Sequence, residues 1–520
     1  MRQTVRSVVR IASAAFVFVL TAAFGASAQT ASTPDWVAAF ENGLRPAMRV
    51  EGETPQQWSI EEGLQRHNVP GVSIAIIRNG SLVWARGYGF SNKETGEKVN
   101  AETVFSVGSI SKLGAAATTL RLVAAGEIDL NRDVNRYLKS WNVPESEFTR
   151  RAPVTLRGIL SHTAGLSVSG FDDYWPGETL PTIVQTLNGA PPAKNEAVRA
   201  IYVPGTETRY SGGGTTVQEL LISDVTGKTF EQAAEDLVFQ PLGMARSTYA
   251  NPLPKEHGNI AWAYDENGAR SAEPRGWHAF PEKAASGLWT TPTDQSKFLF
   301  ALMESYHGAD DAFLPQSVAA DMMTEVGVSA FGLGPVMHGD GDMRRLTHSG
   351  ANFAYRAWFE GHLATGDGLL VFTNGFNGGA LYAEIRRAVA DALDWPFYRE
   401  RILPKDVPQL EKLNAFVGRY AINRPMSPSD FRGAYSETPD FDVVKKGDGL
   451  HMRVAETDEN EEADAYTIPL RQVAPMAFVT DGDYWGSDGG LYLSFVRTKK
   501  GEITGAVLKM GDYSSMAEKR

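Results

Sequence analysis

Val72 to Ile77 and Leu82 to Phe90 are runs of β-branched and aromatic residues, separated by Asn79-Gly80. That pattern predicts two strands joined by a favoured two-residue hairpin turn. Two helices are expected ahead of them, over Trp36 to Met48 and Gln56 to His67, the second stopped by Val69-Pro70-Gly71. From Ser109 to Ala125 the chain turns to Ala and Leu at helical spacing, with Gly126 placed as a C-terminal cap. Residues 130–290 read as helices with long loops and few strand signals. Two more strands follow, Tyr355 to His362 and Leu369 to Asn374, with Thr365-Gly366-Asp367-Gly368 as their turn, and then an amphipathic helix from Leu381 to Leu393. The order of hairpin, helical insertion, hairpin and helix implies an antiparallel sheet built from both ends of one domain. Helices flank it and a helical subdomain is inserted into it, an α/β (α+β) class.

Beyond Leu403-Pro404-Lys405-Asp406-Val407-Pro408 the pattern changes to short alternating runs. Examples are Leu450 to Val454 and Leu491 to Val496, with turns such as Gly447-Asp448-Gly449. We expect a linker over 401–410 and a small all-β, barrel-like domain over 411–520. The acidic stretch Glu456 to Asp464 reads as a solvated loop. At the other end, Arg2, Arg6 and Arg10 precede an apolar run from Ile11 to Phe24, and Ala26-Ser27-Ala28 follows. Positive flank, short apolar core and small-residue triplet predict a signal peptide over 1–28, cleaved before Gln29. The run is short for a membrane span of about 20 residues. We therefore expect no stable membrane anchor after its removal, and a periplasmic or secreted protein whose first domain covers 29–400.

Composition and charge bound this picture further. A chain of 520 residues with 42% hydrophobic positions has core material for more than one domain. The formal charge is -12, and loss of three arginines with residues 1–28 takes it to about -15, which argues against nucleic acid as a partner. The absence of cysteine excludes disulfides, a thiol nucleophile and cysteine-ligated metal. The nine histidines show no ligand spacing, so neither metal nor cofactor is expected.

Ser109-Ile110-Ser111-Lys112 is the one S-x-x-K in the chain. Residues three apart share a helix face, so Lys112 can lie within reach of the Ser109 hydroxyl. If desolvated it can accept the hydroxyl proton, with the helix N-terminus favouring negative charge at the reacting centre. On this motif alone the pair reads equally well as a helix-capping serine followed by a solvent-facing lysine.

The surrounding residues carry a resemblance. Phe105 to Lys112 looks like the nucleophile segment of class C-type β-lactamases and related penicillin-binding-protein-like serine hydrolases. The likeness continues through Leu160-Ser161-His162-Thr163-Ala164-Gly165-Leu166, Pro204-Gly205, Tyr210-Ser211, Gln240 to Met244, Ser286-Gly287-Leu288-Trp289-Thr290 and His348-Ser349-Gly350. These segments keep the family's order across residues 55–395. The resemblance implies that Ser109 forms an acyl-enzyme while Lys112 and Tyr210 share the proton traffic, which of the two is the base being open. It implies that His348 lines the site beside them, in the H-x-G form of esterase and peptidase relatives. It also implies Ser109 and Ala351 backbone N–H groups as oxyanion donors, with Gly212, Ser349 and Gly350 on the substrate. The C-terminal domain resembles lipocalin-like appendages of such hydrolases.

Two positions depart from the family pattern. Gly212 stands where β-lactamases carry a substrate-contacting amide, and His348 replaces a lysine that helps hold a substrate carboxylate. Gly212-Gly213-Gly214 reads as packing freedom ahead of a helix more readily than as room for a bulky substrate. His162 reads as a structural loop residue, and Arg356 reads equally as an anion contact or an ion-pair partner. Gly227-Lys228-Thr229 lacks the glycine at position 222 that a phosphate loop needs. No G-x-S-x-G is present, which disfavours an α/β-hydrolase. The expected activity is hydrolysis of an ester or amide, with a small-molecule or peptide substrate that includes D-amino-acid derivatives. The alternatives are a class C-type β-lactamase or D-alanyl-D-alanine carboxypeptidase, and a catalytically silent binding or sensor protein. A homo-oligomer is compatible with all three.

Overall fold

The computed structural model describes residues 34–408, 412–422, 440–454, 466–480, 490–510 and 513–520. The expected signal peptide over 1–28 and the acidic stretch Glu456 to Asp464 lie outside the described residues. Seven strands form the main sheet: β1 (Gly71–Arg78), β2 (Ser81–Asn92), β3 (Glu97–Lys98), β4 (Val336–His338), β5 (Arg345–Asn352), β6 (Tyr355–His362) and β7 (Asp367–Thr373). Their order across the sheet is β3-β2-β1-β7-β6-β5-β4, and every pairing is antiparallel. The sheet is therefore open, with β3 and β4 at its edges, and is assembled from both ends of the domain, with β1 beside β7. The first hairpin turns on Asn79 and Gly80, both at positive φ (49° and 71°), as its tight turn requires.

The period of two sorts the strand residues into two cores. Ile74, Ile76, Leu369 and Val371 face helix Gly378–Ala392, which contributes Leu381, Ile385 and Val389. Ala75, Ile77, Leu370, Phe372 and Phe359 face the larger core made with α1 (Ser111–Ala124), α2 (Gly212–Thr226) and α3 (Pro292–His307). Eleven of the fourteen residues of α1 are buried, so this helix is a central strut wrapped on all sides. Its small side chains allow that: at Gly114 a Cβ would sit 2.5 Å from the hydroxyl of Tyr249.

Several elements differ from the sequence reading. The first expected helix ends early, at Asp35–Glu41, and Met48–Val50 becomes a strand. It pairs in parallel with Arg401–Leu403, so the segment expected to open a linker is itself a strand held at the start of the domain. The second helix begins later, at Ile60, where Ser59 and Glu62 form a capping box. β5 was expected only as the place of a motif. Its alternation is weak because glycine, serine and histidine interrupt it.

The C-terminal residues form a closed barrel of eight strands from Gly418–Ile422 to Tyr513–Lys519, the last pairing with the first. A barrel of this strand number has an interior that side chains can fill. Here Phe416 packs on Phe478 and Phe495 with centroids at 5.1 and 4.8 Å, and Tyr420 stacks on Phe441 at 5.4 Å. The interior is thus a hydrophobic core. Among the described residues no helix is long and apolar enough to cross a membrane, and no cluster of three His, Asp or Glu could hold a metal.

Candidate active site

Ser109 stands on a single 3-10 turn, Gly108–Ile110, that runs directly into α1. Gly108 has φ +49°, and a Cβ there would collide with the backbone of Ala351, 2.5 Å from its nitrogen. A Cβ on Gly350 would likewise run into the Val107 carbonyl. These two glycines let β5 lie backbone against backbone on the nucleophile turn, which brings the Ala351 and Ser109 amides together. Ser111 locks the turn: its hydroxyl donates to the Gly108 carbonyl at 2.5 Å and accepts from the Leu288 amide at 2.8 Å.

Lys112 lies one helical turn on, as residues three apart must. Its Nζ donates to Ser109 Oγ at 3.2 Å and to the Ala285 carbonyl at 2.8 Å. Among the described residues no carboxylate pairs with it, and burial takes the ammonium down from 10.5 to about 7. The solvent-facing alternative is therefore excluded by position: Lys112 is 6% exposed. The ring of Tyr210 lies over the same Nζ, with its centroid 4.8 Å away.

Tyr210 precedes α2, whose N-cap is Ser211. His162 shapes this approach. Its Nδ1 accepts from the Ser211 amide at 3.2 Å, its carbonyl accepts from the Arg209 amide at 2.8 Å, and its ring packs 4.3 Å from that of Tyr210. With Nδ1 accepting, a neutral ring carries its proton on Nε2. Burial, and then the charges of Lys112 and His348, hold His162 well below its usual range. It acts on the geometry as a neutral brace for Tyr210, a role consistent with a structural loop.

His348 joins the cluster through Phe331, which lies 4.6 Å from His162 and 6.3 Å from His348. Its Nδ1 donates to the Ser349 carbonyl at 2.7 Å, which leaves Nε2 as a lone-pair acceptor, buried and without a protein partner. Burial and the nearby Lys112 bring it down to about 4, so it is neutral at physiological pH. A fixed acceptor thus occupies the place where a lysine would carry a permanent charge. Gly212 is buried, and a Cβ there would meet the ring of Phe171 at 2.8 Å; packing accounts for the glycine. Arg356 donates to the carbonyls of Asn352 and Tyr355. Its guanidinium lies over Phe376, so it braces the hairpin beyond β5.

Three participants escape the sequence reading. The Ala285 carbonyl is backbone and leaves no side-chain signal. Asn352 ties β5 to Ser106 Oγ at 2.6 Å and to the Ser286 carbonyl at 3.2 Å. Glu219 sits fully buried on α2 and accepts from the Ala284 amide at 2.8 Å. It thereby pins the short helix Lys283–Ser286 whose next carbonyl holds Lys112. Burial pushes its carboxyl up to about 8, so it is protonated at neutral pH and still accepts through its carbonyl oxygen. Glu219→Leu is expected to free the Ala284 amide and loosen the Ala285–Lys112 contact. We expect kcat to fall roughly tenfold, with the acid limb of the pH profile moving to lower pH as Lys112 loses an acceptor that favours its ammonium form. Glu219→Gln, which keeps shape and acceptor, should restore both; pH–rate profiles of the two variants test this.

The chain matches the Beta-lactamase family model over residues 59–394. Teichoic acid D-alanine hydrolase of Staphylococcus aureus is 26% identical over 258 residues, 48% of this chain and 58% of its own length. Protein flp of Staphylococcus aureus (strain MRSA252) is 24% identical over 253 residues, 47% of this chain and 46% of its own. The match thus spans about half the length of these curated relatives. Among solved structures, the octameric penicillin-binding protein homologue from Pyrococcus abyssi superposes with a TM-score of 0.55 at 22% identity. It covers 88% of this chain and 98% of that one. EstCE1, a hydrolase with promiscuous acyltransferase activity, gives 0.51 at 21% identity, over 64% of this chain and 97% of its own. At these identities the likeness is one of fold.

Proposed function

The chain belongs to the Beta-lactamase family, and on that footing we propose that it is an exported serine hydrolase that cleaves an ester or amide bond through a Ser109 acyl-enzyme. The observation that carries this reading is the buried Lys112, with Nζ 3.2 Å from Ser109 Oγ and its ammonium brought down to about 7. Near neutral pH a substantial fraction of Lys112 is an amine, ready to take the serine proton as Oγ attacks the substrate carbonyl. The new oxyanion would sit between the amides of Ser109 and Ala351. When the intermediate collapses, the bond to the leaving group breaks and the proton passes to that group through Lys112 and Tyr210. Water then attacks the acyl-enzyme by the same path in reverse, releasing acid and free Ser109.

His348 supports a substrate that is not an antibiotic. A neutral acceptor offers no fixed positive charge to a carboxylate, whereas it suits a hydrogen-bond donor such as an amine or hydroxyl. A curated relative carries the name teichoic acid D-alanine hydrolase, which points to a D-amino-acid derivative. We extend to this chain an ester or amide of a D-amino acid or short peptide. Release of residues 1–28 would place it in the periplasm or outside the cell.

The test is a parallel assay of a chromogenic cephalosporin, short-chain nitrophenyl esters, and D- and L-aminoacyl anilides. We expect esters or aminoacyl anilides to be turned over far faster than the cephalosporin. Cephalosporin hydrolysis above the rest would replace this reading by a β-lactamase. Stable acylation with no turnover of any substrate would replace it by a binding protein.

A further inference from the structure

Beside the nucleophile turn lies an aromatic surface that the chemistry described above does not use. Phe353 follows Ala351 by two residues, and its ring packs 5.6 Å from Trp175, 5.5 Å from His278 and 5.7 Å from Phe376. Trp175 is 42% exposed and Phe376 36%, both unusual for rings of that size in a folded domain. His278 is fully buried beneath them, 4.5 Å from Trp175 and 3.6 Å from Asp173 Oδ2, and burial takes its imidazole down to about 4, so the ring itself is neutral.

A single loop links this surface to the residues beside Tyr210: Phe171 covers Gly212, two residues from Tyr210; Asp173 Oδ2 accepts from the Phe353 amide at 3.0 Å; and Trp175 stands on Phe353. The direction along β5 then assigns what lies there. The proton-handling groups Lys112 and Tyr210, the latter braced by His162, cluster at the His348 end. The oxyanion amide of Ala351 comes next, and Phe353 lies beyond it. A leaving group departs on the side of the groups that protonate it, so the retained half of the substrate extends the other way.

We propose that Trp175, Phe353 and Phe376 form an acyl-group site that takes an aryl or medium-chain alkyl acyl moiety of the substrate. The assignment rests on the serine hydrolase reading and narrows its substrate class. Phe353 opens the turn that follows β5, two residues beyond the Ala351 amide, so its backbone lies at most about 7 Å from that amide at roughly 3.3–3.6 Å per residue. An acetyl group stops short of that distance, while a hexanoyl chain or phenylacetyl ring reaches it. Removing each methylene from water onto an apolar surface favours the complex about fourfold.

The experiment measures kcat/KM for nitrophenyl esters from acetyl to hexanoyl, with phenylacetyl, in the full chain and in Trp175→Ala and Phe353→Ala. A matching series holds the acetyl group and lengthens the alcohol. We expect kcat/KM to climb two- to fourfold per acyl methylene in the wild type. In Trp175→Ala that slope should flatten, with at least a tenfold loss on phenylacetyl and hexanoyl esters and a much smaller loss on the acetyl ester; Trp175 is exposed, so the fold should tolerate its removal. A flat acyl series in an active wild type, an unchanged slope in both variants, or a slope confined to the alcohol series would overturn the acyl-group site and leave the hydrolase standing. No turnover of any ester by the wild type would overturn both.

Discussion

Ser109→Ala is expected to lower kcat/KM by roughly ten-thousandfold or more on every substrate the wild type turns over. The Oγ is the atom that would form the acyl bond, and among the groups around it none replaces it. The amides proposed as oxyanion donors and the cleft survive the substitution, so the residual rate should stay above that in water, and substrate binding should change little. The fold should survive too. The change removes one hydroxyl whose partner, Lys112 Nζ, keeps the Ala285 carbonyl, and the turn remains locked by Ser111. Kinetics on purified variants, a melting curve and mass spectrometry after reaction with a serine-directed fluorophosphonate decide it. A labelled or active Ser109→Ala protein would sink the assignment of the nucleophile.

Lys112→Met should move activity and stability in opposite directions. We expect at least a thousandfold loss in kcat/KM, because no other amine stands at Ser109 Oγ among the described residues. Stability should rise, because the side chain is buried and its ammonium costs more inside the fold than in water. Lys112 falls from 10.5 to about 7 on folding. Between those values the unfolded chain binds a proton that the folded one does not, so wild-type stability climbs with pH across that window. Below about 7 both states are protonated and the full penalty applies, on the order of a few kcal/mol. The variant should therefore melt higher than the wild type at pH 6, with the difference shrinking towards pH 10. The same ionisation predicts an acid limb in wild-type kcat/KM near pH 7, active above it and falling tenfold per unit below. A variant less stable than the wild type at pH 6 would show that Lys112 is not a strained group.

Much of the scaffold was legible because its elements obey simple periods. The hairpins around Asn79-Gly80 and Thr365 to Gly368, the helix after Ser109 and the C-terminal β domain all follow from alternation, turn chemistry and helical spacing. β5 was harder to read. His348, Ser349 and Gly350 are chosen for close approach and for hydrogen bonding, so they break the alternation that marks a strand. The early stop at Glu41 and the pairing of Met48–Val50 with Arg401–Leu403 depend on residues some 350 positions apart, beyond any local pattern.

The sequence by itself determined the chemistry that could be present: one S-x-x-K at a turn-to-helix junction, no thiol, no metal-ligand spacing, and motif segments in a fixed order. The S-x-x-K spacing alone left Ser109 and Lys112 balanced between nucleophile with base and cap with surface lysine, because it fixes a shared face and says nothing of burial, and only the ordered motif segments favoured the first. The tertiary structure decided the burial of Lys112. Glu219 on α2 pins the Ala284 amide, the Ala285 carbonyl receives Lys112, and the core around α1 excludes the water that would keep the ammonium charged. It also decided that His348 is a neutral acceptor and that the rings of Trp175, Phe353 and Phe376 meet beside the cleft. Desolvation and ring contact arise from residues brought together by folding, and no local stretch of chain encodes them.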